Sequence, residues 1–433
     1  MTLVSTAPFR LSAIFSVPSL RTHAIEYRAY LRTRSVMDPA KLRAWWSARQ
    51  GLDGSLAGKT EAEVLSAAGW MRSVAGSGPY LGLFARCGAS RTSVDAAVAK
   101  TAIHELPSAR ACTYVLPATD FALGLRVGQT LSDSEMKVAR KLGVTDAEVD
   151  QLALKVLDAL KSGPLEPDQI KAATGTAVRN LGEEGKKKGV TTTLPLALGR
   201  LQSAGEIRRI PTNGRLDQQR YRYIRWQPNP LQKFRLTEAE AYVELARRFF
   251  DWAAPATLPE FAAFAGLGVK ASKEATGPLG LVPCEPDSQL LMTPELRERL
   301  NAFQPPRAPQ YLLTSSLDGL LLLRRNLRDF LAESDWNKPM ATDKGCSSGG
   351  TLTELPNNAI LDRGRIVGIW EYDPTTASIV WASFVKPDSA LKQAVSKTET
   401  FIRDQLGDAR SFSLDSPKSR VPRIEALRKL SKT

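Results

Sequence analysis

Histidine is nearly absent from this chain. His23 and His104 are the only two, which excludes a histidine-rich metal centre and leaves no convincing Ser-His-Asp or Cys-His arrangement. The four cysteines, Cys87, Cys112, Cys284 and Cys346, stand far apart. Such spacing argues against a zinc module and a disulfide framework, and fits a reducing cytoplasm. No apolar run approaches the roughly 20 residues of a membrane span. The Gly-rich run Cys346-Ser347-Ser348-Gly349-Gly350 lacks the Lys-Ser/Thr of a phosphate loop and reads as a flexible loop. No cofactor or metal is expected. Acidic residues are also scarce: 45 Asp and Glu face 59 Lys and Arg, a net charge of +14. That excess points to a polyanionic partner or an acidic membrane surface. The remainder is ordinary, 43% hydrophobic and 24% charged over 433 residues, enough for about three domains.

What is present is organised around residues 146–226. Val149, Leu152, Val156, Leu157 and Leu160 fall on one helical stripe, which Gly163-Pro164 stops. A short helix, DQIKAATG, ends at Gly175, and a third, LPLALGRLQSAG, at Gly205. Two β-type runs then flank Asn213-Gly214, a favoured hairpin turn. Helix, short helix, helix and two-stranded wing is the order of a winged helix, whose third helix suits a DNA major groove. From Lys161 to Arg235 there are 6 Lys and 9 Arg against 6 acidic residues, a net +9. Lys186, Lys187 and Lys188 precede the third helix and Arg200 lies on it, while Arg208, Arg209, Arg215, Arg220, Arg222 and Arg225 line the wing among Tyr221, Tyr223 and Trp226. Such groups supply phosphate contacts, so duplex DNA is the expected partner and no membrane is. The bland alternative is a solvated basic face used for protein contacts.

The other segments are arranged around this unit. Residues 1–36 hold five Arg and a single acid, Glu26. They read as a targeting-like extension or, preferably, as sequence upstream of a true start at Met37. Residues 37–130 form a winged-helix-like first unit, with helices in KLRAWWSARQGL, EAEVLSAAG and RTSVDAAVAK and a strand-like run up to Asp120. A short polar linker spans 127–146. Residues 237–300 form a third such unit, opened by a Thr237–Glu240 capping box. Three prolines, Pro305, Pro306 and Pro309, mark a boundary. The β-type runs after them suggest a small β-barrel over 301–386. Residues 387–433 read as a last helix and a loose basic tail. The fold class is therefore mainly α with β, tandem winged helices followed by a barrel-like domain. A monomer in the cytoplasm, associated with the nucleoid, is expected.

Four local patterns stand out: Tyr80-Leu81-Gly82-Leu83-Phe84-Ala85-Arg86, the run from Arg110 to Asp120, Trp252-Ala253-Ala254-Pro255-Ala256-Thr257 with Phe261 and Gly266-Leu267, and Leu312-Leu313 to Asp318 with Gly364 to Trp370. Together they resemble one known family, the AlkZ-like (YcaQ-type) winged-helix DNA glycosylases. They occur in the family's order across most of residues 41–385. The resemblance implies a basic, DNA-embracing surface and hydrolysis of the N-glycosidic bond of alkylated or crosslinked purines, a base-excision step of DNA repair. It also implies phosphate contacts from Arg72, Arg86 and Arg110. Family members use a Gln-Φ-Gln pair, or a variant with Asp or His, to position water. Here the corresponding positions read Arg72-Ser73-Val74. Arginine only donates hydrogen bonds and opposes a developing sugar cation, and valine offers nothing polar. Either the chemistry is lost, leaving a regulatory or damage-sensing DNA-binding protein, or other groups carry it.

The substitutes on offer each have a plainer reading. Gln50 with Asp53 is a relocated water-positioning pair or part of an ordinary turn. His104 with Glu105 is an acid–base pair or a covered strand edge. Asp120 orients Arg110 or, preferably, caps the helix beginning at Phe121. Asp318 among leucines needs a partner, and Arg324 or Arg325 is near in sequence. Trp45 and Trp46 read as core and rim rather than as a stacking platform.

Overall fold

The computed structural model describes residues 37–217, 220–342 and 345–432, without the side chains of 130–134. The expectations for residues 1–36 lie outside it. The chain begins with α1 (Pro39–Arg49) and α2 (Glu61–Ala68), then β1 (Met71–Arg72), α3 (Gly78–Cys87) and α4 (Arg91–Ala99). Thr60 and Glu63 form a reciprocal capping box at the start of α2. Strands β2 (Ile103–Pro107) and β3 (Thr113–Pro117) complete an antiparallel sheet of order β1-β3-β2. Trp45 and Trp46 are core residues, 4% and 2% exposed, and their indoles donate to the carbonyls of Ala254 and Pro255 at 2.8 and 3.1 Å.

The 127–146 linker is not irregular. After α5 (Phe121–Gly128) it contains α6 (Thr130–Arg140), because Met136 and Ala139 bury into the next core, at 3% and 0% exposure. That core is formed by α7 (Asp146–Ala159), α8 (Pro167–Thr174), a short α9 (Gly182–Lys187) and α10 (Leu194–Ser203), followed by the ribbon of β4 (Ile207–Pro211) and β5 (Tyr221–Arg225). The ribbon pairs Pro211 with Tyr221, so Asn213-Gly214 is not a tight two-residue hairpin. The connection between the two strands is longer, and Arg215 and Leu216 in it turn inward. Leu216 is fully buried, its amide donates to the Tyr80 hydroxyl at 3.0 Å, and Arg215 reaches the Leu406 carbonyl at 3.1 Å.

A third helical group follows: α11 (Glu238–Ala253), α12 (Leu258–Ala265), α13 (Val269–Thr276), a two-residue hairpin of β6 (Val282–Pro283) and β7 (Leu291–Met292), and α14 (Pro294–Ala302). Capping boxes start α11 at Thr237 and α12 at Thr257, and Gly266 ends α12 in the left-handed conformation. Beyond it run β8 (Tyr311–Thr314), α15 (Gly319–Leu322), β9 (Pro339–Thr342) and β10 (Gly345–Ser348). The glycine run at 346–350 is thus part of a strand and the turn after it. An added Cβ at Gly350 would stand 2.9 Å from the Trp336 carbonyl oxygen.

The expected barrel is instead an open sheet. Strands β11 (Asn358–Asp362), β12 (Arg365–Asp373) and β13 (Ser378–Ser383) give the antiparallel order β13-β12-β11-β8. The edge strands β8 and β13 do not pair with each other; β8 packs against α16 (Ser389–Phe401) and β13 against α17 (Pro417–Leu430). The basic tail is not loose. Arg420, with no exposure, makes two 2.8 Å bonds to Asp408, and Arg423 bonds Glu371 at 2.7 Å and Asp415 at 3.0 Å. Among the described residues no helix is long and apolar enough to cross a membrane.

One buried pair joins two distant segments. Arg86 on α3 makes bonds of 2.7 and 2.9 Å to Asp318, and both side chains are essentially sealed, at 1% and 2% exposure. Asp318 therefore takes Arg86, not Arg324 or Arg325, and also caps α15 through the Leu320 amide. Arg324 lies 3.7 Å over the Trp46 ring and donates to Pro255. Removing one partner of a buried pair leaves an uncompensated charge at a cost of about 3–5 kcal/mol. Arg86→Met or Asp318→Asn should therefore lower Tm sharply in a thermal melt. An unchanged Tm would show that the pair does not hold these segments together.

Candidate functional site

Ser73 extends the pairing of β1 by one residue, its amide donating to the Thr113 carbonyl at 3.0 Å, so its side chain and that of Arg72 fall on opposite faces. Ser73 turns inward, 1% exposed, and donates to Glu105 at 3.0 Å. Arg72 and Val74 line a pocket of about 360 Å3 on the other side. Trp70, Tyr114 and Phe264 form an aromatic wall in it, and Arg110, Arg325, Glu354 and Phe412 are also part of its lining. Arg72 donates to the Thr113 carbonyl at 3.0 Å and stands 5.6 Å from the Tyr114 ring centroid. Burial raises the Tyr114 phenol to about 12, so near neutral pH it is a protonated donor. Among the described residues Glu354 is the only carboxylate in the lining, and Arg325 holds it at 3.4 Å.

The backbone here is strained. Arg110 and Ala111 are consecutive left-handed residues at φ 55°, and Arg325 and Ala75 lie at 52° and 58°. Non-glycine residues in this region cost roughly 1–3 kcal/mol each and gather where function over-determines them. Gly266 permits the close approach at Arg110, since a Cβ there would sit 3.0 Å from the Arg110 Cα.

The other predicted site residues divide clearly. Gln50 is 2% exposed; its amide donates to the Trp252 carbonyl at 2.9 Å and its oxygen faces Arg86. Asp53 accepts from the Ser55 amide at 3.0 Å and from its hydroxyl at 2.5 Å. The two therefore do not form a water-positioning pair. Arg86, sealed against Asp318, is unavailable to a phosphate. Asp120 neither caps α5 nor meets Arg110. It accepts from the Trp70 indole at 2.8 Å and pairs with Arg248 at 3.1 Å. His104 and Glu105 point to opposite faces of β2 and cannot act as a pair. His104 packs edge-on against Phe121 and Trp226. Glu105 is 4% exposed and pairs with Arg209.

The basic residues divide in the same way. Arg200 is tied to Asp146 and Asp150, Arg209 to Glu105 and the Tyr221 ring, Arg215 to Asp217, and Arg220 to Glu166. Lys186 stands 3.8 Å from Glu183. Among the described residues Lys187, Lys188, Arg208, Arg222 and Arg225 have no acidic partner. Strand pairing puts Arg208 and Arg222 on one ribbon face and Arg225 on the other, with Arg209. Sequence reasoning missed Arg325, Glu354 and Phe412, since nothing local in the chain links them to Arg72.

A family model described as "DNA glycosylase AlkZ-like" matches residues 65–398. The chain belongs to the AlkZ-like DNA glycosylase family. Among solved structures, the fold is similar to that of Streptomyces sahachiroi DNA glycosylase AlkZ, at 18% identity and TM-score 0.64, covering 87% of this chain and 98% of that one. Among curated protein sequences no match is found. The segment after residue 398, which contributes Phe412 to the pocket, lies outside the family match.

His104 gives a measurable signature. Burial, aided by Arg208 and Arg209, lowers its pKa to about 3, and Nδ1 has no partner. The folded protein holds it neutral, whereas the unfolded chain takes up a proton near pH 6.5. Its contribution to stability is therefore present above pH 6.5 and lost as pH falls towards 3. His104→Leu should gain Tm relative to the wild type progressively between pH 7 and pH 4.5. A difference in Tm that does not change with pH would contradict this.

Proposed function

We propose that this AlkZ-like family member binds duplex DNA through winged-helix units and takes up a nucleotide in the Arg72–Val74 pocket, without the family's glutamine-assisted attack of water. The observation that carries the reading is the pocket's charge. Arg72, Arg110 and Arg325 line it with one carboxylate, Glu354, already held by Arg325. Guanidinium groups fit phosphate oxygens, and the aromatic wall fits the face of a base. Cleavage of an N-glycosidic bond instead builds positive charge on the sugar, which three nearby cations oppose. Lesion recognition in DNA repair, with no cofactor, is the function that best fits this lining.

A second reading, base excision, is favoured by one observation, the position of Glu354. Its carboxylate, one group in the lining, can accept a proton and face a sugar cation. Purified protein incubated with an alkylated duplex distinguishes the two. Retained binding with no released base is the expected result. Base release that disappears in Glu354→Gln would establish excision instead.

Binding itself is tested on the ribbon. Arg208→Ala with Arg222→Ala should weaken binding and flatten its log–log salt dependence by about one unit for each phosphate that is no longer neutralised. Unchanged affinity at both low and high salt would remove this ribbon face from the interface.

A further inference from the structure

The turn between Arg410 and Asp415 is apolar where it faces solvent and fixed where it meets the protein. Phe412 is 43% exposed and Leu414 is 66% exposed, two of the few large hydrophobic side chains left in water. Isolated exposed apolar residues need no explanation, but two on one turn at the rim of a pocket do. The backbone is held on both sides. Ser413 donates to the Val74 carbonyl at 3.0 Å, and the Arg410 carbonyl accepts from the Ser77 amide and hydroxyl at 2.9 and 3.0 Å. Gly76 allows this approach, since a Cβ there would come within 2.3 Å of the Ser411 oxygen. Behind the turn, buried Asp415 accepts from the Ser411 amide at 2.9 Å and is held by Arg423. The turn is thus preorganised against the segment that follows β1 and carries Val74, and Phe412 is part of the pocket lining.

We propose that Phe412, with Leu414 beside it, is a wedge that enters the base stack of a duplex and fills the space left by the nucleotide the pocket takes up. Taking a base out of the stack costs a few kcal/mol. An apolar side chain inserted between base steps offsets part of that cost and is itself removed from water. The surrounding charge suits this occupant, because Arg72, Arg110 and Arg325 stand at the same pocket. The inference rests on the duplex-DNA reading above and adds to it a residue outside the span matched by the family.

The test uses the full chain and a duplex with 2-aminopurine in a mismatch, whose fluorescence rises when the base unstacks. Wild type should bind and raise the signal. Phe412→Ala with Leu414→Ala should keep the wild-type Tm and salt dependence, since no charge or buried group is removed, and abolish the rise. Phe412→Trp, which keeps a flat apolar ring, should retain it. Wild-type binding without a rise, or a rise that survives the double alanine variant, overturns the wedge and leaves the duplex reading standing. Failure of the wild type to bind the duplex overturns both.

Discussion

The carboxylate of Glu105 is the constraint on which the site depends. A buried ionised group is stable only when paired and hydrogen-bonded. Glu105 meets that requirement with Ser73, Arg209 and the Tyr221 hydroxyl. Those partners come from the β1 segment and from both strands of the ribbon. One side chain on β2 therefore fixes the ribbon against the first sheet, and the inward-turned Leu216 repeats the attachment on Tyr80. The ribbon's position on the first sheet is set by this docking, which also explains why Arg209 and Arg215 serve the fold while Arg208 and Arg222 remain without acidic partners.

The same constraint shapes the pocket. Because Ser73 faces Glu105, Arg72 turns to the other face, and Val74, beyond the strand, joins it in the pocket lining. The positions where the resemblance expects two glutamines therefore present a cation and an apolar surface to the aromatic wall. The strained hairpin at Arg110 and Ala111 and the turn at Arg325 add two more guanidinium groups. The lining suits an anionic, planar ligand better than a cationic transition state.

Local signals in the sequence were legible where the physics is local. The capping box at Thr237, the glycine stops at Gly163 and Gly175 and the stripe from Val149 to Leu160 correspond to elements found. What sequence could not supply was partner choice across the chain. Asp318 needed an arginine, and its partner is Arg86, 232 residues away. The linker read as polar because its scattered apolar residues, Met136 and Ala139 among them, needed a neighbouring core to justify a helix. The last β-type runs carried no information on closure, and the basic tail concealed arginines that pair with Asp408, Asp415 and Glu371. Of the candidate site, Arg72 and Arg110 were legible, whereas Arg325, Glu354 and Phe412 join it only through tertiary folding.

The central claim is that a DNA duplex is engaged where Arg72, Arg110 and Arg325 converge. Arginine-selective chemical modification, read by mass spectrometry with and without a duplex, addresses it directly. The account predicts that bound DNA slows modification of these three and of Arg208 and Arg222. Equal modification of Arg72, Arg110 and Arg325 in the free and fully bound protein would contradict it.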